Sequence, residues 1–318
     1  NLKIILNLLI SKWFVNLNAL IFRIYNKLKI SQLINKVKLN RLLPKKINEL
    51  EKMIPIINGF PLKSGNYPSS TNNKFKVMLF RGCVMPGIHG DNMRKTIYLL
   101  NHLGFDVEVL DNEVCCGSIS SHNGDSDMTL KLAKTNIDNF LQNESKYLLI
   151  SSAGCGTRIK EYNHLFNKNS SYYNKALLLK EKTMDIYEFL YNNLPFKPEG
   201  NINLTVSYQP ACHLINTQKI IDPPVELLKM IPGIKYVELP SSNICCGAGG
   251  AYSITQPEWS KKVLNKKMTE FKSINADILT VSNPGCLIQL QNGIQESSIS
   301  SDIMYVTDLL YNSYLKGE

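Results

Sequence analysis

The sequence predicts an α/β fold of two duplicated units, each a small, mainly parallel sheet with flanking helices, preceded by a helical segment. Two observations predict it. Short apolar strands alternate with helical stretches from residue 76 to residue 282, the pattern of βα units with parallel pairing. All eight cysteines fall into two copies of one arrangement: Cys83, Cys115 with Cys116, and Cys155; then Cys212, Cys245 with Cys246, and Cys286. The copies are offset by 129, 130, 130 and 131 positions, and their internal gaps are 31 and 38 residues against 32 and 39. An internal duplication is the reading, with a basic segment and linker over residues 1–74 and two units over 75–198 and 199–318.

Taken in order, the chain starts with its charge. Its 318 residues suffice for a large core, and 44% hydrophobic with 19% charged residues is ordinary for a globular protein. The net charge of +10 is concentrated: residues 1–50 hold ten Lys or Arg and one acid, Glu49. Their longest uncharged runs, residues 4–11 and 13–22, are split by Lys12 and too short to span a bilayer. No small-residue cleavage site follows a single apolar core, so a signal peptide is not indicated. A basic amphipathic helix is the description, either docking on an anionic membrane surface or a partner subunit, or packing as a solvated helical linker. No binding motif accompanies the charge, so a nucleic-acid partner is not expected.

A Pro/Gly/Ser/Asn-rich stretch over residues 55–73 reads as a linker. The first unit then runs strand 76–80, helix 92–103, strand 107–110, the Cys115-Cys116-Gly117 turn, helix 127–141, strand 147–151 and Cys155. The second repeats it: strand 204–208, helix 224–230, strand 236–239, Cys245-Cys246-Gly247, helix 259–271, strand 278–282 and Cys286. Even the unit ends agree, YEFLYNNL at 187–194 resembling DLLYNSYL at 308–315. Each cysteine lies just past the C-terminal end of a strand, the edge where open α/β sheets gather ligands. The glycines beside them let the backbone approach a bulky group and leave N–H donors to reach sulfur.

Three uses compete for the cysteines. Structural disulfides suit small secreted domains without a core, and adjacent cysteines pair with strain. Structural zinc with four cysteines per unit, in a non-redox interaction scaffold, is the second; but zinc usually takes C-x2-C knuckles, and neither unit has one. The third is an iron–sulfur cluster in each unit. A cluster spreads its irons over a few ångströms, so adjacent thiolates serve different irons, and four thiolates match a four-iron, four-sulfide cubane.

The repeated Cys…Cys-Cys-Gly…Cys arrangement resembles the cysteine-rich CCG domain found in tandem in the heterodisulfide reductases and their relatives. RGCVMP at 81–86, CCGS at 115–118, SSAGCGTRIKEY at 151–162, CCGAGGAY at 245–252 and NPGCLIQ at 283–289 resemble, more closely, the glycolate oxidase iron–sulfur subunits. Iron–sulfur subunits of lactate utilisation and of anaerobic glycerol-3-phosphate dehydrogenase share the domain pair. The resemblance implies a non-catalytic electron-transfer subunit with one or two [4Fe-4S] clusters on the eight cysteines and no flavin of its own. It implies an FAD-containing glycolate oxidase subunit as partner, a quinone or similar acceptor, and a cytoplasmic location, peripheral on the inner face of the membrane. The heterodisulfide reductase form has a fifth cysteine; here Ser152 and Asn283 lie where it would sit. Full-length members also carry a ferredoxin-like domain with two C-x2-C-x2-C-x3-C-P runs, so the chain is expected to be a piece of a longer protein.

Among other residues, His213 is read as a cluster neighbour or a polar rim residue, and His122 as a loop residue. Asp91 and Asp125 are expected to cap the helices that follow, and Tyr208 and Tyr252 to pack. No P-loop, GxGxxG loop or nucleophilic elbow is present.

Overall fold

A computed structural model describes residues 8, 10–36, 54–57, 59–69, 74–194 and 198–317. The basic residues between Lys38 and Lys46 lie outside them. The chain begins with helices α1 (Lys12–Lys27) and α2 (Ile30–Lys36). Buried Val15 and Ala19 seat α1 on the short helix α3 (Met85–Ile88), where a Cβ at Gly87 would lie 3.2 Å from Ala19 Cβ. The stripe Trp13, Leu17, Leu20, Ile24 and Leu28, spaced at helical periodicity, points the other way and is exposed. Among the described residues no helix is long and apolar enough to cross a membrane.

The first sheet has the order β1 (Gly65–Tyr67), β3 (Asp106–Val109), β2 (Lys76–Phe80), β4 (Tyr147–Ile150), β5 (Thr183–Asp185). All its pairs are parallel except β1 with β3. The stretch expected to be a linker therefore supplies an edge strand, and its Leu62 is buried in the core. Helix α4 (Gly90–His102) links β2 to β3; α5 (Ser118–His122) and α6 (Ser126–Leu141) lead to β4; α7 (Ala153–Lys160) and α8 (Ser171–Lys182) precede β5, and α9 (Ile186–Asn193) follows it.

The second sheet, β7 (Ile234–Tyr236), β6 (Leu204–Gln209), β8 (Ile278–Val281), β9 (Asp302–Tyr305), is parallel throughout. Its helices are α10 (Pro223–Lys229), α11 (Tyr252–Thr255), α12 (Pro257–Ile274), α13 (Pro284–Glu296) and α14 (Val306–Gly317). Strand β4 reads as an unbroken apolar run and β8 as one broken only by Thr280, as suits strands buried on both faces. The strand expected at 236–239 sits two residues earlier. Val237 N–H donates to Val206 O as the last rung, and Pro240 follows, so the chain turns away and buries Leu239 in the core.

The duplication reaches individual side chains. The buried stripe of α6 is Thr129, Ala133, Asn136, Ile137 and Phe140; that of α12 is Ser260, Leu264, Lys267, Met268 and Phe271, each 131 positions on. Four of the five pairs are conservative in polarity. Asn136 against Lys267 differs in charge.

The two halves share a core, since one cluster of buried side chains includes residues of both sheets, from Val77 and Leu149 to Val206, Leu279 and Leu310. Helix α4 packs on α14, and their pseudo-equivalents α10 and α9 pack on each other. Asn92 Nδ2 donates to Thr307 Oγ1 at 2.9 Å, Lys95 pairs with Asp308 at 3.2 Å, and the Tyr98 and Tyr311 rings meet edge to face at 5.0 Å. Burying apolar area on both sides of the seam is the driving force; the polar contacts fix its register.

Candidate metal centre

Strand ends position the cysteines as the sequence predicts. Cys83 follows β2, the Cys115–Cys116 pair follows β3, and Cys155 occupies the first turn of α7 after β4. Cys212, the Cys245–Cys246 pair and Cys286 take the same places after β6, β7 and β8. Because these strands are parallel, all eight thiols emerge at C-terminal sheet edges. No disulfide links them.

Within each set the thiols form a run of neighbours. Cys83 meets Cys115, which meets Cys116, which meets Cys155; Cys212, Cys245, Cys246 and Cys286 repeat the order. Hydrogen bonds from Cys116 and Cys83, helped by Gly117 N–H, hold the Cys115 thiol well below its ordinary value against the opposing effect of burial. Cys245 is lowered in the same way by Cys212 and Cys246, then by Gly247 N–H and the charge of Lys267. Donating to these thiolates, and burial, push Cys83, Cys116, Cys212 and Cys246 up.

The glycine after each pair has a physical reason. Gly117 (φ +82°) and Gly247 (φ +91°) are left-handed, which aims their N–H groups back at Cys115 Sγ (3.5 Å) and Cys245 Sγ (3.4 Å). Cys155 and Cys286 sit at helix N-termini, where the backbone dipole favours a negative group.

A second layer ties the turns down, and the sequence reading missed it. In the first half Asn136 Oδ1 accepts from Val114 N (3.1 Å), and its Nδ2 donates to Cys115 O (3.1 Å) and Tyr162 Oη (3.1 Å); Tyr162 Oη donates to Cys116 O (2.8 Å). Arg81 and Glu113, both buried and each two residues before a cysteine, form an ion pair at 3.0 Å. In the second half buried Lys267 Nζ donates to Ser241 O and, at 3.0 Å, to Ile244 O; Gln289 Nε2 donates to Ser260 Oγ, which donates to Gly247 O, both at 2.9 Å. Only comparison of the copies at the 131-residue offset flags Asn136 and Lys267.

The two sets abut. Asn283 Oδ1 accepts from Gly154 N and from Ser152 Oγ, each at 3.3 Å, so the two residues at the fifth-cysteine positions bond to each other across the seam. Beyond Cys212 a π-helical turn, His213–Gln218, lies along α7: Thr157 Oγ1 donates to His213 O (3.3 Å) and Gln218 Nε2 to Ala153 O (3.0 Å). The His213 ring is 5.6 Å from that of His122, and its Nδ1 is 3.9 Å from Cys212 Sγ. Burial holds both imidazoles below their ordinary value.

Of the remaining residues, Asp125 caps α6 by accepting from Met128 N, and Tyr208 packs in the core. His122 closes the short helix α5 rather than lying in a loop. Asp91 does not cap: His89 takes the N-cap position of α4, so Asp91 falls in its first turn and pairs with Arg94 and Lys95. Tyr252 is 41% exposed, because the Gly249-Gly250 turn carries it to the rim.

Two comparisons with known proteins bear on this site. The family described as the cysteine-rich domain, CCG, matches residues 77–160 and again 206–291, together more than half the chain. The chain belongs to the CCG cysteine-rich domain family. It is similar to a "Probable glycolate oxidase iron-sulfur subunit" of Bacillus subtilis (strain 168), 28% identical over 90% of this chain and 66% of that protein. It is also similar to proteins named "Lactate utilization protein A" from Oceanobacillus iheyensis (29% identical, 76% of this chain, 98% of the relative) and Bacillus licheniformis (27%, 74% and 98%). Among solved structures, an aspartate racemase homologue from Pyrococcus horikoshii covers 76% of this chain and 99% of its own at TM-score 0.29 and 8% identity, too slight a likeness to carry an argument.

Among the described residues no three of these side chains converge to hold a single metal ion; the chemistry of the donor set, a run of thiols in each half, suits an iron–sulfur cluster instead. Such a centre shares four thiolates among several irons and takes N–H donors onto sulfur. Each set supplies four neighbouring thiols, two of them vicinal, with a glycine N–H aimed at one.

Proposed function

We propose that this chain is the iron–sulfur electron-transfer subunit of a glycolate-oxidising complex, taking electrons from an FAD-containing partner and passing them to a quinone or similar acceptor. The observation that carries this reading is a run of four neighbouring thiols in each half, on loops that meet across one seam. Cys83, Cys115, Cys116 and Cys155 would hold one cluster, and Cys212, Cys245, Cys246 and Cys286 another, each of the [4Fe-4S] kind. A bound cluster supplies one-electron exchange. The chain's own part is to exclude water around the buried sulfurs, aim Gly117 and Gly247 N–H at them, and keep the two sets adjacent through Asn283. Each half, 75–198 and 199–318, then acts as one cluster-bearing domain.

The outward apolar stripe of α1, with Lys27 and Lys29 beside it, supports peripheral docking on an anionic membrane at the cytoplasmic face. A lactate-oxidising complex is the second reading, favoured by relatives that the chain matches along 98% of their length. Anaerobic purification with iron and acid-labile sulfide assays tests the proposal. About four irons and four sulfides per loaded set support it; zinc at one per set without sulfide overturns it. Titrating the oxidised chain against glycolate- and lactate-oxidising flavoproteins, each reduced by its own substrate, separates the two readings.

A further inference from the structure

The two sets share a scaffold but differ in charge. At one equivalent position, 19 residues before the last cysteine of each set, the first half has Asn136 and the second Lys267. Both do the same mechanical work. Each reaches from the long helix under the vicinal pair and ties the preceding turn, Asn136 through Val114 N and Cys115 O, Lys267 through Ser241 O and Ile244 O. Asn136 does so as a neutral amide, Lys267 as an ammonium held in the core at 1% exposure, where burial lowers its pKa and the charges of Glu270 and of the second-set thiolates act to keep its proton. Beside the first set the Arg81–Glu113 pair is internally neutral, with Pro210 and Asn243 as its counterparts; Arg158, one turn past Cys155 and matched by Gln289, acts on His122 and His213, whereas Lys267 acts on Cys245 itself. The carboxylate facing Lys267, Glu270, is half-buried and bonded to Ser241 Oγ. The second set is also less enclosed at two positions, with Cys212 and Cys245 half-buried where Cys83 and Cys115 are buried, although Cys155 is half-buried where Cys286 is buried.

We infer that Lys267 makes the second cysteine set the more oxidising of the two, so that electrons run from the first set to the second. The inference rests on the iron–sulfur reading above. Reduction adds one negative charge to a thiolate-held cluster, and a buried cation close by stabilises that form, whereas a neutral amide does not. Greater solvent access at Cys212 and Cys245 acts in the same direction. With clusters held by Cys83, Cys115, Cys116 and Cys155 and by Cys212, Cys245, Cys246 and Cys286, one electron from a reduced flavin would pass from the first set to the second, the first losing the electron that the second gains, with no bond or proton moved. Lys267 is thus a positioning residue for charge.

The test is a potentiometric titration, followed by electron paramagnetic resonance, of the anaerobically prepared chain. Two signals of unequal potential are expected. In Lys267→Gln, which keeps a donor and removes the charge, the higher signal moves to lower potential while the other stays; Lys267→Arg keeps it high. Glu270→Gln, a half-buried change that leaves an acceptor for Ser241, moves the same signal further up and serves if Lys267→Gln does not load its second set. Loaded clusters whose potentials do not move in either glutamine variant overturn the inference alone. A chain that holds no iron and sulfide overturns the functional reading, and this inference with it.

Discussion

Asp185→Asn should make the protein more stable above neutral pH. Asp185 ends β5 and caps α9, its Oδ1 accepting from Tyr187 N at 2.9 Å, while its buried Oδ2 has no hydrogen-bond partner among the described residues. Burial, opposed by the Tyr187 N–H and the charge of Lys160, lifts its carboxyl from 3.8 to about 7. The sign follows. Between these values the folded chain holds a proton that the unfolded chain has lost, so stability is fully present below the lower value and falls as pH rises through the upper one. Each pH unit between them is worth about 1.4 kcal/mol, giving an upper bound of about 4 kcal/mol at pH 8. Asparagine has the shape of the protonated carboxyl and keeps the cap, but cannot ionise. Urea unfolding of both proteins from about pH 5 to about pH 8.5 should show curves that separate by roughly 2–3 kcal/mol up to pH 7 and run parallel above it. Parallel curves from pH 5 to pH 7 would refute the reasoning, because then Asp185 does not titrate in that window.

Three further outcomes are expected. Gly247→Ala should cost more than Gly117→Ala: both glycines are left-handed, at about 1–2 kcal/mol for an L-residue, but a Cβ at 247 also meets Ser260 O at 2.8 Å, while one at 117 meets nothing closer than 3.6 Å. Equal losses in denaturant midpoint would sink that account. Tyr162→Phe removes the donor to Cys116 O without opening a cavity, so unfolding should show a loss of about 1–2 kcal/mol with iron lost from the first set before the second; a variant as stable as the parent counts against a tying role. Leu20→Glu or Ile24→Glu on the outer stripe of α1 should weaken sedimentation with anionic vesicles roughly tenfold or more, since each removes about 1.5 kcal/mol of apolar insertion. Unchanged vesicle binding would remove the membrane from the proposal.

Much of this was legible in the sequence, for identifiable reasons. The strands that carry cysteines are apolar or alternating segments between helices, and the thiols mark their ends, so β2, β3, β4, β6 and β8 stand within a residue or so of expectation. Strand β1 was hidden in a Pro/Gly-rich stretch because it bonds only along one edge, to β3. Strands β5 and β9 were missed because Thr183–Asp185 and Asp302–Tyr305 offer no apolar run of strand length and pass straight into helices. At the site, the grouping of the thiols at strand ends was legible but the side chains that tie their turns down were not. A lysine on an amphipathic helix reads as solvated, and Lys267 is buried only because two turn carbonyls, Ser241 O and Ile244 O, need a donor there. Nor could spacing show Ser152 and Asn283 meeting, since that depends on how the halves face.

The exchange of helices at the seam, α4 on α14 and α9 on α10, has the form of a two-fold dimer drawn into one chain. In a dimer of identical subunits any substitution appears at both sites, so two centres related by the axis cannot be tuned apart. Covalent duplication lifts that constraint. It lets position 136 stay an amide while position 267 becomes a lysine, so that each half of a symmetric scaffold can change without the other.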